Sequence, residues 1–587
     1  IGFPGVESRG RRKLSSRKAG ITVHPETSAP GLRWNRWVES IPAVQLKSYG
    51  GPAGVLTLSM DGGPATHLKL LIDGFELTNP QNGLTDLSQL PLALITTLNY
   101  IPSGPGNEAM SSDGALHLQT GIASSQALFS TGSYGHQSWS GSVSFRKRKI
   151  QGVVRLGSRR DDGNFPVTYR GQTGKRSNND FRQRFFQGSL HGIHNATRSS
   201  RFFGLWTGQD RGVAGLIYSP SQGRHTDHLL LVGWEHIFLT GTGVRKTQLS
   251  YQGNRDRYDD PDLLIHSQHD NRKISLKWED RQELNTIGSL THRIETEDQI
   301  LRSTDAGRRR RRTGLLVSRW DSPEKREFHL GFSGSILAAD GYRREIQSQA
   351  NAGIDFPKPF SGSIQLTSGK EARIPTFNEL YWSPGGNPDL KPEHTRYTQL
   401  ELSFTTRVLG SLRWLAFSKT SYDLIQWTPR GSLWQPVNIQ KVARTGWKIR
   451  WSRTQPFLHF SPSLTYGVVR AVNLSSGEVY RKQLPYVPVH TGSLALTWSF
   501  RDWKVTVTRR YRGSMISRYD WPRDIRLPGV RLGDLAIEKT WTFRRITLIA
   551  GFNLDNLTNV SYETVQGYPE PGRSALFTLT LQPYQEN

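Results

Sequence analysis

From about Ser124 to the C-terminus, the sequence repeats segments in which apolar and polar residues alternate. One segment reads, in order, Leu494, Ala495, Leu496, Thr497, Trp498, Ser499 and Phe500. A period of two is typical of strands with one apolar and one polar face. The longest apolar runs are strand-sized, and all fall well short of the roughly 18 residues that a membrane helix requires. The sequence therefore predicts an all-β fold for this region.

The connections between these segments are of two kinds, which alternate strictly along the chain. Long polar loops are predicted at 157–180, 207–226, 252–270, 372–394, 423–443, 471–490, 512–530 and 552–574. Short turns, such as Arg501-Asp502, lie between them. Long loops at one end and short turns at the other are typical of a transmembrane barrel, and a water-soluble sandwich does not require them. Counting the segments predicts an all-β transmembrane barrel of about 22 antiparallel strands.

A barrel of this size has a wide lumen, and 22-stranded examples are plugged. The barrel is predicted over 121–587. Residues 37–120 differ from it: they mix short strands with a helix-like stretch, which predicts a small, shortened α+β plug domain in the lumen. Residues 1–36 are polar and basic and are predicted to form a flexible N-terminal arm. The sequence starts at Ile1 and shows neither an initiator Met nor the apolar core of a signal peptide, so we interpret the N-terminus as processed or truncated.

The charge balance indicates a polyanionic neighbour. Lysine plus arginine number 76 against 49 for aspartate plus glutamate, a formal net charge of +27. Such an excess suits either nucleic acid or a phosphate-bearing membrane surface. The basic residues are spread along strands and loops, so nucleic-acid binding is rejected in favour of outer-membrane lipid and lipopolysaccharide. The absence of cysteine excludes disulfides, thiol nucleophiles and thiolate metal sites.

Several motifs carry a resemblance to a known family. Leu71–Phe75, Asn79–Gly83 and Leu90-Pro91 resemble the plug of TonB-dependent outer-membrane receptors. In the barrel, Arg373–Trp382 followed by Gly386–Glu393 is similar to the mid-barrel signature of that family. The resemblance covers about residues 37–582 and is nearest to the vitamin B12 and small-siderophore branch.

The resemblance implies a receptor in the bacterial outer membrane that binds a scarce extracellular ligand, such as a siderophore or cobalamin, and imports it to the periplasm. A TonB-type periplasmic protein would supply the energy by pairing as a strand with an N-terminal box. The box-like piece here is Ile21, Thr22 and Val23. The plug departs from the family at Asp61-Gly62, where an Arg-Gly is usual. The alternative is a transport-inactive barrel that serves as a structural or accessory subunit and binds a surface partner protein.

The resemblance also suggests where a ligand would bind. Loops that plugs of the family present toward the ligand correspond to Tyr49, Gly50 and Gly51 and to Asn79, Pro80, Gln81 and Asn82. The chemistry of tight turns also explains Asn-Pro and Asn-Gly at such positions. Both explanations remain open on the sequence alone.

Two charged clusters have a functional and a simpler explanation. Guanidinium groups at Arg308, Arg309, Arg310, Arg311 and Arg312 are suited to lipopolysaccharide phosphates or an anionic ligand. Alternation along a strand would instead divide them between the lumen and the headgroup level. Carboxylates at Asp256, Asp259, Asp260 and Asp262 offer oxygen ligands for Ca²⁺. The interrupting Arg255, Arg257 and Pro261 favour a solvated turn instead.

No catalytic signature is visible in the sequence. The 16 histidines show no His-Glu-x-x-His pair or other metal-ligand spacing, and there is no Walker loop or Gly-x-Ser-x-Gly elbow. Scattered Ser, His and acidic residues are a very weak signal. The sequence therefore predicts a protein without cofactors that is not an enzyme.

Overall fold

Twenty-two antiparallel strands close into one barrel, as the alternation predicts. The structure, a computed structural model, describes residues 20–23, 34–103, 111–121, 125–169, 171–323, 327–356, 361–430, 433–453, 456, 458–520 and 522–583. The barrel strands are Gln126–Gly132, His136–Lys147, Ile150–Asp161, Phe181–Ile193, Arg198–Leu216, Ser219–Leu239, Gly243–Asp260, Ile265–Glu283, Ser289–Ser303, Gly307–Asp321, Phe328–Ala339, Glu345–Phe356, Ser361–Arg373, Glu393–Thr406, Gly410–Arg430, Leu433–Ser452, Phe460–Asn473, His490–Phe500, Trp503–Arg512, Val530–Thr542, Ile546–Asp555 and Ser574–Pro583. No helix among these described residues is long and apolar enough to cross a membrane.

Each barrel strand turns one face outward and one face to the lumen. The outward face is apolar and exposed, as at Trp139, Leu316 and Phe577, which suits contact with lipid chains. The inward face carries polar side chains, and many of them are buried against the plug, including Arg211 and Lys448. The apolar residues of the alternating pattern therefore face the lipid, and the polar residues face the lumen.

Three segments predicted as long loops are instead the outer ends of paired strands. Residues 207–226, 252–270 and 423–443 continue the backbone pairing of their hairpins almost to the tip. The apolar face of the alternation stops where the lipid stops, whereas the ladder of backbone hydrogen bonds continues beyond it. Sequence alternation therefore marks the lipid-facing part of a strand and misses its polar extension.

Several other outer loops carry short elements of their own. Residues 162–180 contain the hairpin Pro166–Tyr169 with Gln172–Lys175, and residues 374–392 contain the helix Phe377–Tyr381. The loops 513–529 and 556–573 contain the pairs Met515–Arg518 with Ile525–Leu527 and Glu563–Val565 with Tyr568–Pro569. A 3₁₀ turn at Ser133–Gly135 joins the first two barrel strands.

The plug folds inside the lumen around a five-stranded sheet. Its strand order is Ile21–Val23, Thr97–Ile101, Ala115–Gln119, Lys69–Ile72 and Phe75–Glu76, and only the pairing between the third and fourth is parallel. A hairpin of Val44–Ser48 and Leu56–Met60 and a helix at Asn35–Val38 complete it. The helix-like stretch forms two 3₁₀ turns, Leu87–Gln89 and Leu92–Leu94, and a third lies at Ala65–His67. Apolar plug residues share one core with lumen-facing barrel residues such as Phe203 and Leu231.

The first plug strand changes the interpretation of the N-terminal region. Ile21 and Val23 are buried, and Ile21–Val23 pairs with Thr97–Ile101 at the edge of the plug sheet. The arm predicted over 1–36 is therefore interrupted by a plug strand, and its other residues up to 33 lie outside the described parts of the chain, apart from residue 20. Three residues are too short a segment for an alternation to stand out in the sequence.

Buried ion pairs join the plug to the barrel. Asp61 of the plug lies 2.9 Å from the Nζ atom of Lys419 and 2.7 Å from that of Lys448. Asp113 of the plug lies 3.0 Å from Lys419 Nζ and 2.7 Å from Arg444 Nη1. Burial alone would raise the pKa of Asp61, but the two ammonium groups lower it from 3.8 to about 2. Asp61, which stands where the family usually has an arginine, thus belongs to a set of buried ion pairs between plug and barrel. In this set, called the lock below, the plug supplies the carboxylates and the barrel supplies the cations.

We expect Asp61→Asn to loosen the plug without changing the barrel. The substitution leaves two buried ammonium groups short of a counter-ion, which costs about 3–5 kcal/mol for a buried pair. Urea denaturation of the purified protein, followed by tryptophan fluorescence, measures the loss. The control is Asp180→Asn, whose pair with Arg224 is only partly buried and contributes about 1 kcal/mol or less. Equal losses in the two variants would contradict the lock.

A lipid-facing substitution tests the orientation of the barrel wall. Leu316 faces outward in the middle of its strand, so Leu316→Arg is expected to destabilise the barrel by about 2–4 kcal/mol. Unfolding in lipid vesicles measures the change. Leu264 lies at an exposed hairpin tip beyond the lipid, and Leu264→Arg should leave the stability unchanged. A similar loss at both positions would show that the lipid belt is placed wrongly.

Candidate ligand-binding site at the outer mouth

The plug loop at residues 49–51 reaches the outer mouth of the barrel. Gly50 and Gly51 have φ angles of +92° and +76°, a left-handed conformation that favours glycine. A Cβ atom on Gly51 would lie 2.7 Å from Cε1 of Phe165, so the loop also touches the outer loop 162–180. The first of the two predicted plug apices therefore faces the extracellular side, beneath inward-folded barrel loops.

Tyrosine rings surround this apex. Tyr49 is 40% exposed, and its ring meets the ring of Tyr568 edge-on at 5.2 Å. The Nζ atom of Lys47 lies 5.2 Å from the ring centre of Tyr486. Tyr218 lies at the tip of its hairpin, where the backbone N–H of Ile217 donates to the carbonyl of Gly567 at 2.8 Å. Three outer loops thus place rings around one plug loop.

Two cations beside these rings, Lys47 and Arg176, have no acidic counter-ion among the described residues. In the described parts of the chain, neither Lys47 nor Arg176 has a carboxylate within ion-pair distance. Arg176 is 5% exposed; its Nη2 donates to the carbonyl of Gly215, and its Nε has no hydrogen-bond partner among the described residues. Burial lowers the pKa of both Lys47 and Arg176. Buried cations without counter-ions favour the approach of an anionic group.

An open cleft leads away from the apex along the plug. It follows the plug strand Val44–Ser48, from Lys47 to the ion pair between Glu39 and Arg510. Barrel residues such as Tyr486 line the opposite wall. The cleft follows the plug–barrel boundary, which is where a gap would open if the plug moved.

The second predicted apex, Asn79–Asn82, is covered by an outer loop. Pro80 and Gln81 are buried. The side chain of Gln81 accepts from Asn271 Nδ2 at 2.7 Å, and its backbone carbonyl accepts from the N–H of Asn378 at 2.7 Å. The structure therefore gives Gln81 a packing contact in place of direct exposure to the vestibule.

The mid-barrel signature builds the cover over this apex. Thr376 and Glu379 form a capping box at the start of the helix Phe377–Tyr381. Arg373 donates to both Glu379 and Glu393, and Glu393 contacts His67 of the plug. A continuous chain of charged contacts thus connects an outer loop to the plug interior. The sequence located this motif without indicating which parts it joins.

The arginine run is divided between the two faces of its strand. Arg311 is buried, donates to the carbonyl of Pro375 and lies 4.8 Å from the ring centre of Phe377. Arg309 stacks 4.3 Å from the ring centre of Tyr381. The other three guanidinium groups are exposed, and Arg310 pairs with Asp298. Two arginines therefore hold the helix, and lipopolysaccharide binding remains a proposal for Arg308, Arg310 and Arg312.

The four aspartates proposed for Ca²⁺ do not converge. Asp256 lies 2.7 Å from Nε2 of His225 in the lumen wall, whereas Asp259 pairs with Arg257 on the outward face. Asp260 accepts from Ser221 and from the N–H groups of the turn that contains Asp262. Because neighbouring strand residues point to opposite faces, close spacing in sequence does not bring these carboxylates together.

One other group of carboxylates does come together in the described residues. Oxygen atoms of Glu76, Glu295 and Glu297 lie within 4.8 Å of one another at the plug–barrel boundary. Lys69 Nζ lies 2.9 Å and Lys273 Nζ 3.6 Å from Glu76 Oε1. These ammonium groups supply the neutralising charge, so the cluster is explained as an ion-pair network.

This chain matches a known protein family over most of its length. The model of the family described as TonB dependent receptor-like, beta-barrel matches residues 98–557. The vitamin B12 transporter BtuB of Photobacterium profundum is 24% identical over 257 residues, which are 42% of this chain and 37% of that protein. The chain thus matches little more than a third of the length of this curated relative.

Solved structures share the fold over nearly the whole chain. A point mutant of the ferric enterobactin receptor from Pseudomonas aeruginosa, in complex with enterobactin, superposes with a TM-score of 0.79 at 13% identity, covering 96% of this chain and 99% of that one. The siderophore receptor PirA from Acinetobacter baumannii gives 0.78 at 11%, with 99% and 100% covered. The copper transporter OprC gives 0.79 at 15%, with 97% and 100% covered.

The family model matches most of the barrel, and the solved structures share the fold of nearly the whole chain. The fold implies a place in the outer membrane, and the family consists of receptors and transporters. The family model covers well over half of the residues. This chain belongs to the TonB-dependent receptor family.

Proposed function

We propose that the protein binds an anionic, ring-bearing small ligand at its outer mouth and imports it to the periplasm. The observation that supports this proposal is the pairing of the tyrosines around the first plug apex with Lys47 and Arg176, which have no acidic counter-ions among the described residues. Rings stack on tyrosine faces, and the cations favour negative charge. A ferric catecholate has both properties, whereas cobalamin offers little negative charge.

The import step of this proposal requires the plug to move. The plug is held by the Asp61 and Asp113 ion pairs on one side, and the cleft along Val44–Ser48 lies on another. In the described part of the chain, Ile21–Val23 joins the edge of the plug sheet through three residue pairs. We propose that a TonB-type protein pairs with this N-terminal region and pulls this strand away, which loosens the sheet next to the cleft.

The alternative function, a structural or accessory subunit, has less support. It rested on the departures of the plug from the family pattern, on the missing consensus of the N-terminal box and on the net charge of +27. The Asp61 departure is accommodated by cations of the barrel, and the comparison proteins are named as receptors and transporters. We therefore propose transport.

Binding assays on Arg176 test the ligand class. For the purified protein, we expect a ferric tris-catecholate to quench tryptophan fluorescence and cyanocobalamin to do so much less. Arg176→Gln should weaken the catecholate affinity by about ten-fold or more, since hydrogen bonds to charged groups contribute about 1.5–3 kcal/mol. The control is Arg308→Gln on the exposed outer surface. Preference for cyanocobalamin, or equal affinities of the two variants, would overturn the proposed ligand class.

A reversible crosslink tests the import step. Thr22 and Asn99 are directly opposed on paired strands, where Cα atoms lie about 4.5–5.5 Å apart, a spacing that a disulfide spans. Since the chain has no cysteine of its own, Thr22→Cys with Asn99→Cys gives one defined bridge. We expect the oxidised protein to bind ligand without importing it, and a reductant to restore uptake. Thr22→Cys alone is the control, and normal uptake by the fully bridged protein would refute strand release.

A further inference from the structure

Three lumen-facing residues at the outer rim, a serine, a histidine and an aspartate, are connected by hydrogen bonds. Ser130 Oγ lies 3.0 Å from Nε2 of His136, and Nδ1 of His136 lies 2.8 Å from Oδ1 of Asp161. His136 and Asp161 are buried, whereas Ser130 is only partly buried. They come from the outer ends of the first three barrel strands, Gln126–Gly132, His136–Lys147 and Ile150–Asp161.

The hydrogen bonds of this group have one consistent direction. Because an ionised Asp161 can only accept, a neutral His136 carries its proton on Nδ1, and in that tautomer its Nε2 accepts from Ser130. Arg159 Nε donates to the second oxygen of Asp161 at 2.6 Å, which keeps that carboxylate charged. The hydroxyl of Ser138 lies 2.6 Å from Ser130 Oγ and can donate to it. The network therefore directs the Ser130 proton toward the imidazole, as nucleophilic catalysis by serine requires.

The hydroxyl group of Thr578 lies beside Ser130 as a further hydrogen-bond donor. Thr578 is directly opposite Ser130 on the neighbouring strand and also faces the lumen. Its side chain is 5% exposed, and its hydroxyl has no hydrogen-bond partner among the described residues. Opposed residues have Cβ atoms about 4.5–5.5 Å apart, so a substrate oxygen at Ser130 lies within reach of this hydroxyl. Such a donor can stabilise the negative charge of a tetrahedral intermediate.

The group lies next to the proposed ligand site. Tyr134, in the turn between Ser130 and His136, packs its ring 5.9 Å from that of Phe165. Phe165 in turn packs against Gly51 of the plug apex. A molecule held at the apex is therefore separated from the group by two aromatic side chains.

We propose that Ser130, His136 and Asp161 hydrolyse carboxylic esters that enter the outer mouth, with Ser130 as nucleophile. Ser130 Oγ bonds to the carbonyl carbon as its proton passes to His136 Nε2. The bond to the alcohol oxygen breaks, and that oxygen takes the proton. Water then attacks the acyl group, gives a proton to His136 and releases the acid as Ser130 Oγ recovers that proton. Water is the only co-reactant.

The expectation that the chain is not an enzyme rested on sequence spacing. The residues at 130, 136 and 161 match no elbow or other local signature, because three separate strands supply them. Their meeting depends on the register of the barrel wall, in which Ser130 is opposite Ser138 and Ser138 is opposite Arg159. Hydrolysis would act beside transport and would not replace it.

Labelling of the purified full-length protein with a fluorophosphonate tests the nucleophile. Peptide mapping by mass spectrometry is expected to find the phosphonate on Ser130, with Ser138 and Ser158 unmodified. This measurement needs no variant and so does not depend on how a variant folds. Absence of the phosphonate from Ser130 overturns the proposal.

Hydrolysis of p-nitrophenyl butyrate tests the roles. Ser130→Ala and His136→Ala should each lower kcat by about 100-fold or more, and Thr578→Val by about ten-fold or more with KM unchanged. Ser158→Ala, on the outward face of the third strand, is the matched control and should retain full activity. Heat-modified migration on gels verifies that each barrel is folded. Equal rates for the wild type and Ser130→Ala would assign the activity to a contaminant and overturn the proposal.

Discussion

Closure of the barrel is the constraint on which the other features depend. Backbone N–H and C=O groups in lipid have no water to bind, so every strand must pair on both sides. The pairing of Ser574–Pro583 with Gln126–Gly132 joins the last strand to the first and removes both edges. Closure also fixes which side chains face inward, and therefore which residues can contact the plug or a ligand.

Filling the lumen is the second consequence of closure. The inward polar face would hold water if the plug were absent, and the plug replaces that water with hydrogen bonds and ion pairs. Asp61 and Asp113 meet three cations of the barrel wall, all nearly inaccessible to solvent. A buried ion pair of this kind is costly to break, and a single substitution disrupts it. This suits the proposed mechanism, in which the plug stays in place until it is pulled.

The outer mouth of the barrel holds the candidate ligand site and, a short distance away, the proposed hydrolytic group. The plug apex presents tyrosine rings and cations without counter-ions in the described part of the chain, while the rim beside it presents Ser130, His136 and Asp161. Phe165 touches the apex and packs against Tyr134 of the rim. The proposed capture of an anionic ligand and the proposed cleavage of an ester would therefore occur in one vestibule, and the Phe165 contact is the element that both share.

The sequence by itself determined the barrel and its strand number, because a period of two and unequal loop lengths are local properties of the chain. The mid-barrel signature was also visible, as a family resemblance over Arg373–Trp382, whereas its capping box at Thr376 and Glu379 came from the structure. Strand ends beyond the lipid were missed because their alternation is no longer apolar, and the plug strand Ile21–Val23 because it is short.

Only the tertiary structure decided which distant residues meet. The partners of Asp61 are about 360 and 390 positions away, and Arg176 reaches the plug apex through an inward-folded loop. Arg309 and Arg311 were divided from their neighbours by the pleat of one strand, and Asp256 from Asp259 by that of another. The direction of each side chain and the register of the strands across the barrel wall determine which residues come into contact. Neither is a property of residues that are adjacent in sequence.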